Sequence, residues 1–263
     1  GREVGGLATQ LAAHMEIENE THRKRVQTFW KSPVIAASEG RKAVDMFDAI
    51  ESGQIKAVWI IATNPVVSLP NADRVIAALE KCELVVISDC VRETDTVKCA
   101  HIRLPAATWG ERDGTVTNSE RCISRQRPFL ELPGLAQPDW WIITEVAKKM
   151  GFAAAFSYTR PADIFREHAA LSGFENDNER VFDISALANS TDSEYNNLAP
   201  VHWPIAPKLS AEKNVLPSSI PTSIPTGSIR VFENALFSTP DRKANFIDIK
   251  PRLPVNSITT EFP

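Results

Sequence analysis

Two short apolar segments, IKAVWIIAT (55–63) and ELVVISD (83–89), constrain the fold of this chain more than any other feature. Each is apolar almost without interruption, which is typical of a strand buried on both faces of a parallel sheet. Between them lies NADRVIAALEKC (71–82), whose apolar residues recur at helical spacing. A strand, a helix and a second strand at this spacing predict a parallel α/β layer.

Flanking segments extend the layer. RKAVDMFDAIESG (41–53) predicts a helix that ends at Gly53, and HIRLP (101–105) predicts a third, shorter strand. Three strands are few for a complete doubly wound sheet. The predicted fold class is therefore α/β, with a partial doubly wound parallel sheet flanked by helices, small added β elements and a proline-rich extended segment.

The sequence predicts three regions along the chain. Residues 1–32 predict an irregular and partly helical lead-in, and 33–172 an α/β dinucleotide-cofactor domain with a β excursion at about 113–127. Two helices are predicted within or near that domain, one beginning at Pro138 as its first residue and one in RPADIFREHAALSG (160–173). Residues 173–263 predict a helical and proline-rich wrapping segment that ends in a β hairpin around a Thr-Pro-Asp turn.

Composition excludes several classes of protein. A formal net charge of −4 and a pI near 5.8 argue against a nucleic-acid binder, which needs a basic face. No apolar run has the roughly 18–20 residues of a membrane span. Four cysteines without a CxxC pair predict reduced structural thiols and a cytoplasmic protein. The five histidines show no metal-binding spacing, so no metal ligand is predicted.

Polar residues at the strand ends are the first candidates for a site, because ligands of open parallel sheets gather beyond the carboxyl ends of the strands. Asn64 follows the first strand, and Ser88 and Asp89 end the second. An Asp here can accept two N–H groups of a ribose or of a guanine edge, and the Asn64 amide both donates and accepts. Two structural alternatives stay open: Asn64 as a turn former before proline, and Asp89 as the cap of a helix in CVRETDTV (90–97).

Two further candidates lie downstream. Arg112 could neutralise a phosphate or be a solvated turn charge, and Asp139 could bind a ligand or complement a helix dipole. The chain has neither GxGxxG nor GxxxxGK, so it contains no self-contained phosphate loop. A nucleotide would need donors from several segments.

These segments resemble the molybdopterin oxidoreductase family that binds bis-molybdopterin guanine dinucleotide, and within it the assimilatory nitrate reductase branch. The blocks that carry the resemblance are GREVGGLATQLAAHM (1–15), AVDMFDAIESGQIKAVWIIATNPVVSLPNADRV (43–75), ELVVISDCVRETDTV (83–97), LPAATWGERDGTVTNSER (104–121) and LPGLAQPDWWIITEVAKKMGF (132–152).

The resemblance implies a function. It places pterin–guanine dinucleotide contacts on Asn64, Ser88, Asp89, Arg112 and Asp139, and no catalytic or metal-ligating residue within this chain. It implies molybdenum in the cofactor, with a [4Fe–4S] centre whose ligands lie outside these residues. The expected reaction is reduction of nitrate to nitrite, with an electron-donor protein and the remaining parts of the same polypeptide as partners. The fragment alone is expected to be inactive.

The sequence departs from the family pattern at several positions. Arg112 stands where relatives often have Lys, and Ala100-His101 replaces a common Ala-Asp. Two alternatives for the function stay open. One is another branch of the family, such as formate dehydrogenase, and the other is a non-catalytic α/β module that binds a nucleotide.

Overall fold

A computed structural model describes residues 10–205, 227, 230–232, 235–251 and 258–260. The helices and strands, in chain order, are α1 (Glu20–Trp30), α2 (Ala43–Glu51), β1 (Ala57–Ile61), α3 (Pro65–Ser68), α4 (Ala72–Lys81), β2 (Leu84–Asp89), α5 (Asp95–Lys98), β3 (Ile102–Pro105), β4 (Gly114–Thr117), β5 (Cys122–Gln126), α6 (Asp139–Ala147), α7 (Pro161–Gly173), α8 (Asp192–Asn196) and β6 (Val201–His202). Short 3-10 turns and a π turn at 148–152 complete the described structure.

The predicted parallel layer is confirmed. Strands β1, β2 and β3 form a three-stranded parallel sheet in that order, with Ile61 opposite Ser88 and Asp89 opposite Pro105. Helices α2 and α4 pack with this sheet in one hydrophobic core, which includes Phe47 and Leu79. The fold is thus mixed α/β, with a parallel sheet flanked by helices.

The strands are less symmetrically buried than their apolar sequences predict. In β1, Val58 and Ile60 are buried, whereas Trp59 and Ile61 on the other face are only partly buried. The core therefore fills one face of β1 more completely than the other.

A second hydrophobic core lies outside the parallel layer. The predicted β excursion forms the antiparallel pair β4–β5, and β6 adds to β5 as a third strand. Residues far apart in sequence share this core: Val26 of α1, Ile123 of β5, Phe165 of α7 and Ile184. The lead-in and the chain from residue 161 to 205 therefore pack together. The domain limits at 32 and 172 remain a prediction.

The lead-in contains helix α1, which Asn19 caps because its side chain accepts hydrogen bonds from Thr21 N and His22 N. Two local predictions are wrong. Pro138 is not the first residue of α6; its ψ of 143° is extended, so it precedes the helix and Asp139 begins it. Cys90 is exposed and has no packing role, although Cys82 is buried as expected.

The predicted terminal hairpin is also wrong for the residues that the structure describes. Residues 230–232 and 235–251 contain a turn but no strand. Phe237 N bonds Arg242 O at 3.0 Å, which closes the turn around Pro240, but no ladder continues from it. The remainder of that segment, and the proline-rich stretch from 206 to 226, lie outside the described residues.

Within the described part of the chain, no helix has both the length and the apolar character that a membrane crossing requires. The same residues contain no group of three or more His, Cys, Asp or Glu side chains placed to hold a metal ion.

Candidate functional site

The carboxyl edge of the parallel sheet gathers four segments of the chain. Strands β1 and β2 end beside each other, since Ala62 N bonds Ser88 O at 3.0 Å. Beyond β3, Ala106 forms a parallel bridge with Gln137, and Gln137 N bonds Pro105 O at 3.1 Å. Gln137 therefore acts as a one-residue fourth strand. The edge continues directly into Asp139, the first residue of α6.

Asn64 begins the short helix α3 just beyond β1, and its side chain is held by α5. Its Oδ1 accepts a hydrogen bond from Thr96 Oγ1 at 2.6 Å, and Thr96 Oγ1 accepts one from Val66 N at 3.1 Å. Asn64 Nδ2 makes no hydrogen bond to the described residues. The amide therefore has a spare donor at the sheet edge.

Ser88 and Asp89 end β2 in different environments. Ser88 is 1% exposed, and its hydroxyl accepts a hydrogen bond from Trp59 Nε1 at 2.9 Å. Asp89 is partly exposed, and its Oδ1 accepts from Val91 N at 2.8 Å. The bond to Val91 closes a turn after β2, so Asp89 does not cap α5. Thr94 caps that helix, with its hydroxyl accepting from Val97 N at 3.1 Å.

Arg112 and Asp139 form an ion pair at the same edge, with Arg112 Nη1 3.2 Å from Asp139 Oδ2. The two side chains are 34% and 22% exposed. Two of their buried atoms, the Arg112 Nε donor and the Asp139 Oδ1 acceptor, have no hydrogen-bond partner. A buried polar atom without a partner costs free energy, so the pair is incomplete without a further group.

The electrostatics of Asp139 agree with this description. Burial raises the pKa of the Asp139 carboxyl; the Arg112 cation opposes that shift, and the negative charge of Asp89 adds to it. The Asp139 carboxyl is thus partly desolvated at this edge, with the Arg112 cation beside it.

The loop that carries Arg112 is fixed on both sides. Before it, Thr108 and Glu111 form a capping box, with Thr108 N bonding Glu111 Oε2 at 2.8 Å. After it, Asp113 Oδ1 lies 2.7 Å from Arg125 Nη2, whose side chain is only 3% exposed. The residues before and after Arg112 are thus fixed by these contacts, and the Arg112 guanidinium pairs with Asp139.

The structure brings Ser88, Asp89, Arg112 and Asp139 to one edge of the sheet, with Asn64 at the adjoining strand end. Sequence reasoning missed Thr96, Gln137 and Arg125, which hold those residues in place. Thr96 lies in the short helix α5, two residues after its capping residue Thr94. Nothing in the local sequence indicates that its hydroxyl bonds a residue far away in the chain.

His101 lies at the opposite end of the sheet from the candidate site. Its Nδ1 accepts a hydrogen bond from Val85 N at 2.9 Å. An imidazole nitrogen can accept a backbone N–H in this way. His101 therefore supports the start of β2 and is not part of the candidate site.

Comparison with known proteins identifies the family. The family model Molybdopterin oxidoreductase matches residues 1–149. The chain belongs to the molybdopterin oxidoreductase family. Among its relatives is the nitrate reductase of Klebsiella oxytoca, which is 54% identical over 206 residues, covering 78% of this chain and 24% of the relative.

Two further relatives match almost the whole chain. The nitrate reductase of Shewanella frigidimarina is 46% identical over 249 residues, 94% of this chain and 25% of the relative. The assimilatory nitrate reductase catalytic subunit of Bacillus subtilis is 31% identical over 268 residues, 100% of this chain and 34% of the relative. The chain therefore spans a quarter to a third of the length of these relatives.

Proposed function

We propose that this chain supplies part of the binding site for a molybdopterin guanine dinucleotide in an assimilatory nitrate reductase, which reduces nitrate to nitrite. The observation that carries the proposal is the incomplete Arg112–Asp139 pair, whose buried donor and acceptor lack partners at the carboxyl edge of a parallel sheet. Family membership supports the molybdenum–pterin part of the cofactor.

The residues at the edge fit a group of this kind. The free oxygens of Asp89 and Asp139 accept hydrogen bonds, as the N1–H and N2–H groups of a guanine edge require. Arg112 Nε and Asn64 Nδ2 are donors, which suit phosphate or carbonyl oxygens. Ser88 is buried at the end of β2, and its hydrogen bond from Trp59 joins β2 to β1 at this edge. No single segment of the edge holds enough donors for a phosphate, so the site is assembled from several.

In this proposal the chain binds and orients the cofactor and contains no catalytic residue. A bis-molybdopterin guanine dinucleotide with molybdenum supplies the two-electron and oxygen-transfer chemistry when bound. The [4Fe–4S] ligands lie on other parts of the polypeptide, and an electron-donor protein delivers the electrons. A cytoplasmic location is proposed from cysteine usage. Nitrate is proposed as the substrate because the relatives with 54% and 46% identity are named nitrate reductases.

The proposal is tested on the protein expressed from its complete gene. Asp89→Ala removes a charged acceptor, a change that weakens binding by about 10- to 100-fold when a hydrogen bond to a charged group is lost. We expect molybdenum and acid-released guanine nucleotide per protein to fall together. The control is Glu83→Ala, which removes an exposed carboxylate at the opposite end of the same strand, where it lies 3.1 Å from Lys56.

Two results would contradict the proposal. One is a wild-type protein that contains neither molybdenum nor guanine nucleotide, and the other is an Asp89→Ala protein that retains both at wild-type levels. Viologen-linked nitrate reduction tests the substrate. Formate oxidation without nitrate reduction would instead place the protein in the formate dehydrogenase branch.

A further inference from the structure

We propose that Thr96 is a positioning residue that orients the Asn64 amide so that its NH2 group donates a hydrogen bond to the bound ligand. The inference rests on the proposed function and specifies that Asn64 meets the ligand as a hydrogen-bond donor. Thr96 lies in α5 and is fully buried, and its hydroxyl is hydrogen-bonded to Asn64 and Val66.

The direction of each hydrogen bond follows from the available protons and the contact distances. Val66 N–H is a donor, so Thr96 Oγ1 must accept at that contact, 3.1 Å away. The Thr96 hydroxyl has one proton and a second lone pair, and its other contact is Asn64, 2.6 Å away. A distance of 2.6 Å is typical of O–H···O and short for N–H···O, so Thr96 donates to the carbonyl oxygen of Asn64. The flipped amide would leave the proton of this buried hydroxyl without an acceptor among the described residues.

The consequence for the ligand is specific. With its oxygen turned toward Thr96, the Asn64 amide turns Nδ2 the other way, so the ligand atom that meets Nδ2 is an acceptor. A phosphate oxygen, a carbonyl oxygen or a bare ring nitrogen satisfies this requirement, and an N–H group does not. The carboxylate oxygens of Asp89 and Asp139 are acceptors, and Arg112 beside Asp139 is a second donor. The edge therefore offers a donor beyond β1, at Asn64, and both acceptors and a donor at Asp89, Asp139 and Arg112.

A purely structural role for Thr96 predicts different behaviour. If its hydroxyl only anchored α3 to α5, its removal would weaken the fold whatever residue occupied position 64. If it acts through Asn64, its effect on the ligand disappears once the Asn64 amide has been removed. A double-mutant cycle separates the two roles.

The experiment uses the protein expressed from its complete gene, with molybdenum and acid-released guanine nucleotide per protein as the readout. Thr96→Val keeps the shape of the side chain and removes the hydroxyl, and Thr96→Ser keeps the hydroxyl. We expect Thr96→Val to lower cofactor content about five- to tenfold, as the loss of one hydrogen bond implies. Thr96→Ser should stay near the wild-type level, and Thr96→Val should add no further loss in an Asn64→Ala background.

Asn64→Asp provides a test that leaves Thr96 intact. A carboxylate can still accept the bond from Thr96 but has no donor for the ligand, so this variant should lose as much cofactor as Asn64→Ala. Full cofactor content in Asn64→Asp would overturn the inference, and it would do so even if Thr96→Val failed to fold.

The remaining outcomes separate this inference from the proposed function. Equal losses from Thr96→Val with and without Asn64 would overturn the positioning role alone. The same holds if Asn64→Ala retains cofactor while Asp89→Ala loses it. A wild-type protein without molybdenum and guanine nucleotide would overturn both.

Discussion

Replacing Arg125 with Met should loosen the second core locally, because Arg125 is the buried cation that joins β5 to α8. Its side chain is 3% exposed, pairs with Asp113 at 2.7 Å and stacks over the Tyr195 ring at 4.2 Å. Its Nη1 also donates to Gln126 O at 3.0 Å and to Gly114 O. Arg125→Met removes all of these contacts while keeping much of the apolar stem.

The magnitude follows from burial. Breaking a buried ion pair by removing one partner costs about 3–5 kcal/mol, and a desolvated cation–π contact contributes about 2 kcal/mol. The full cost is smaller here, because Asp113 is 39% exposed and recovers water. The buried Arg125 Nε has no partner in the native structure, which lowers the loss further. We expect about 2–3 kcal/mol in the local opening free energy, since such contributions do not add fully.

Native-state hydrogen exchange measures that quantity without requiring the whole protein to unfold. Amides of β5 and of residues 192–202 should exchange about 30- to 150-fold faster in Arg125→Met, since each 1.4 kcal/mol is a factor of ten. Arg125→Lys keeps the charge but loses the forked geometry, so its exchange rates should lie between those of the wild type and of Arg125→Met. The matched control is Arg103→Met in β3, outside the second core, where the side chain is exposed and the change should be within about 0.5 kcal/mol.

Two results would refute this reasoning. An acceleration of less than about fivefold in Arg125→Met would mean that the buried cation contributes little beyond its desolvation cost. An equal acceleration in peptides from β1 and β2 would mean that the two cores open as one unit, so the effect would not be local.

Two further predictions concern Asp139 and Gly173. In protein produced without the cofactor, the raised pKa of Asp139 means that folding favours its protonated form. As pH rises from below the unfolded value of 3.8 through the raised folded pKa, the stability of the wild-type protein should therefore fall relative to that of Asp139→Asn. Thermal unfolding from about pH 3 to 7 measures the difference, and a difference that does not change with pH would contradict the cause given. Gly173→Ala should destabilise the protein by about 1–3 kcal/mol, because a Cβ at that position would lie 2.4 Å from Ser185 Cβ. Gly40→Ala, with nothing within 4 Å of the added atom, should change the unfolding temperature little, and equal shifts in the two variants would argue against the steric explanation.

Local pattern was sufficient for the parallel layer. The apolar runs at 55–63 and 83–89 became β1 and β2, because a strand buried in a sheet must be apolar over its own few residues. The amphipathic stretch between them became α4 for the same local reason. Strand ends are set by the strands themselves, so Asn64 and Asp89 could be placed at one edge from the sequence.

Pattern was insufficient where one residue decides a boundary. Pro138 suits the first position of a helix by its φ angle, but its ψ angle is extended, and it directly follows the Gln137 bridge to Ala106, which the sequence does not show. The terminal segment has turn residues and strand-like runs, yet no ladder forms in its described residues, because a hairpin needs cross-strand and core contacts as well as a turn.

The sequence alone therefore determined the fold class, the parallel strands and the chemistry available at their ends, because these depend on residues close together in the chain. Only the tertiary structure decided how that chemistry is used. The bonds from Thr96 to Asn64 and from Arg112 to Asp139 join residues 32 and 27 positions apart. Such bonds form only when helices and strands have packed, so the polarity of the site is a property of the packing and not of any single motif.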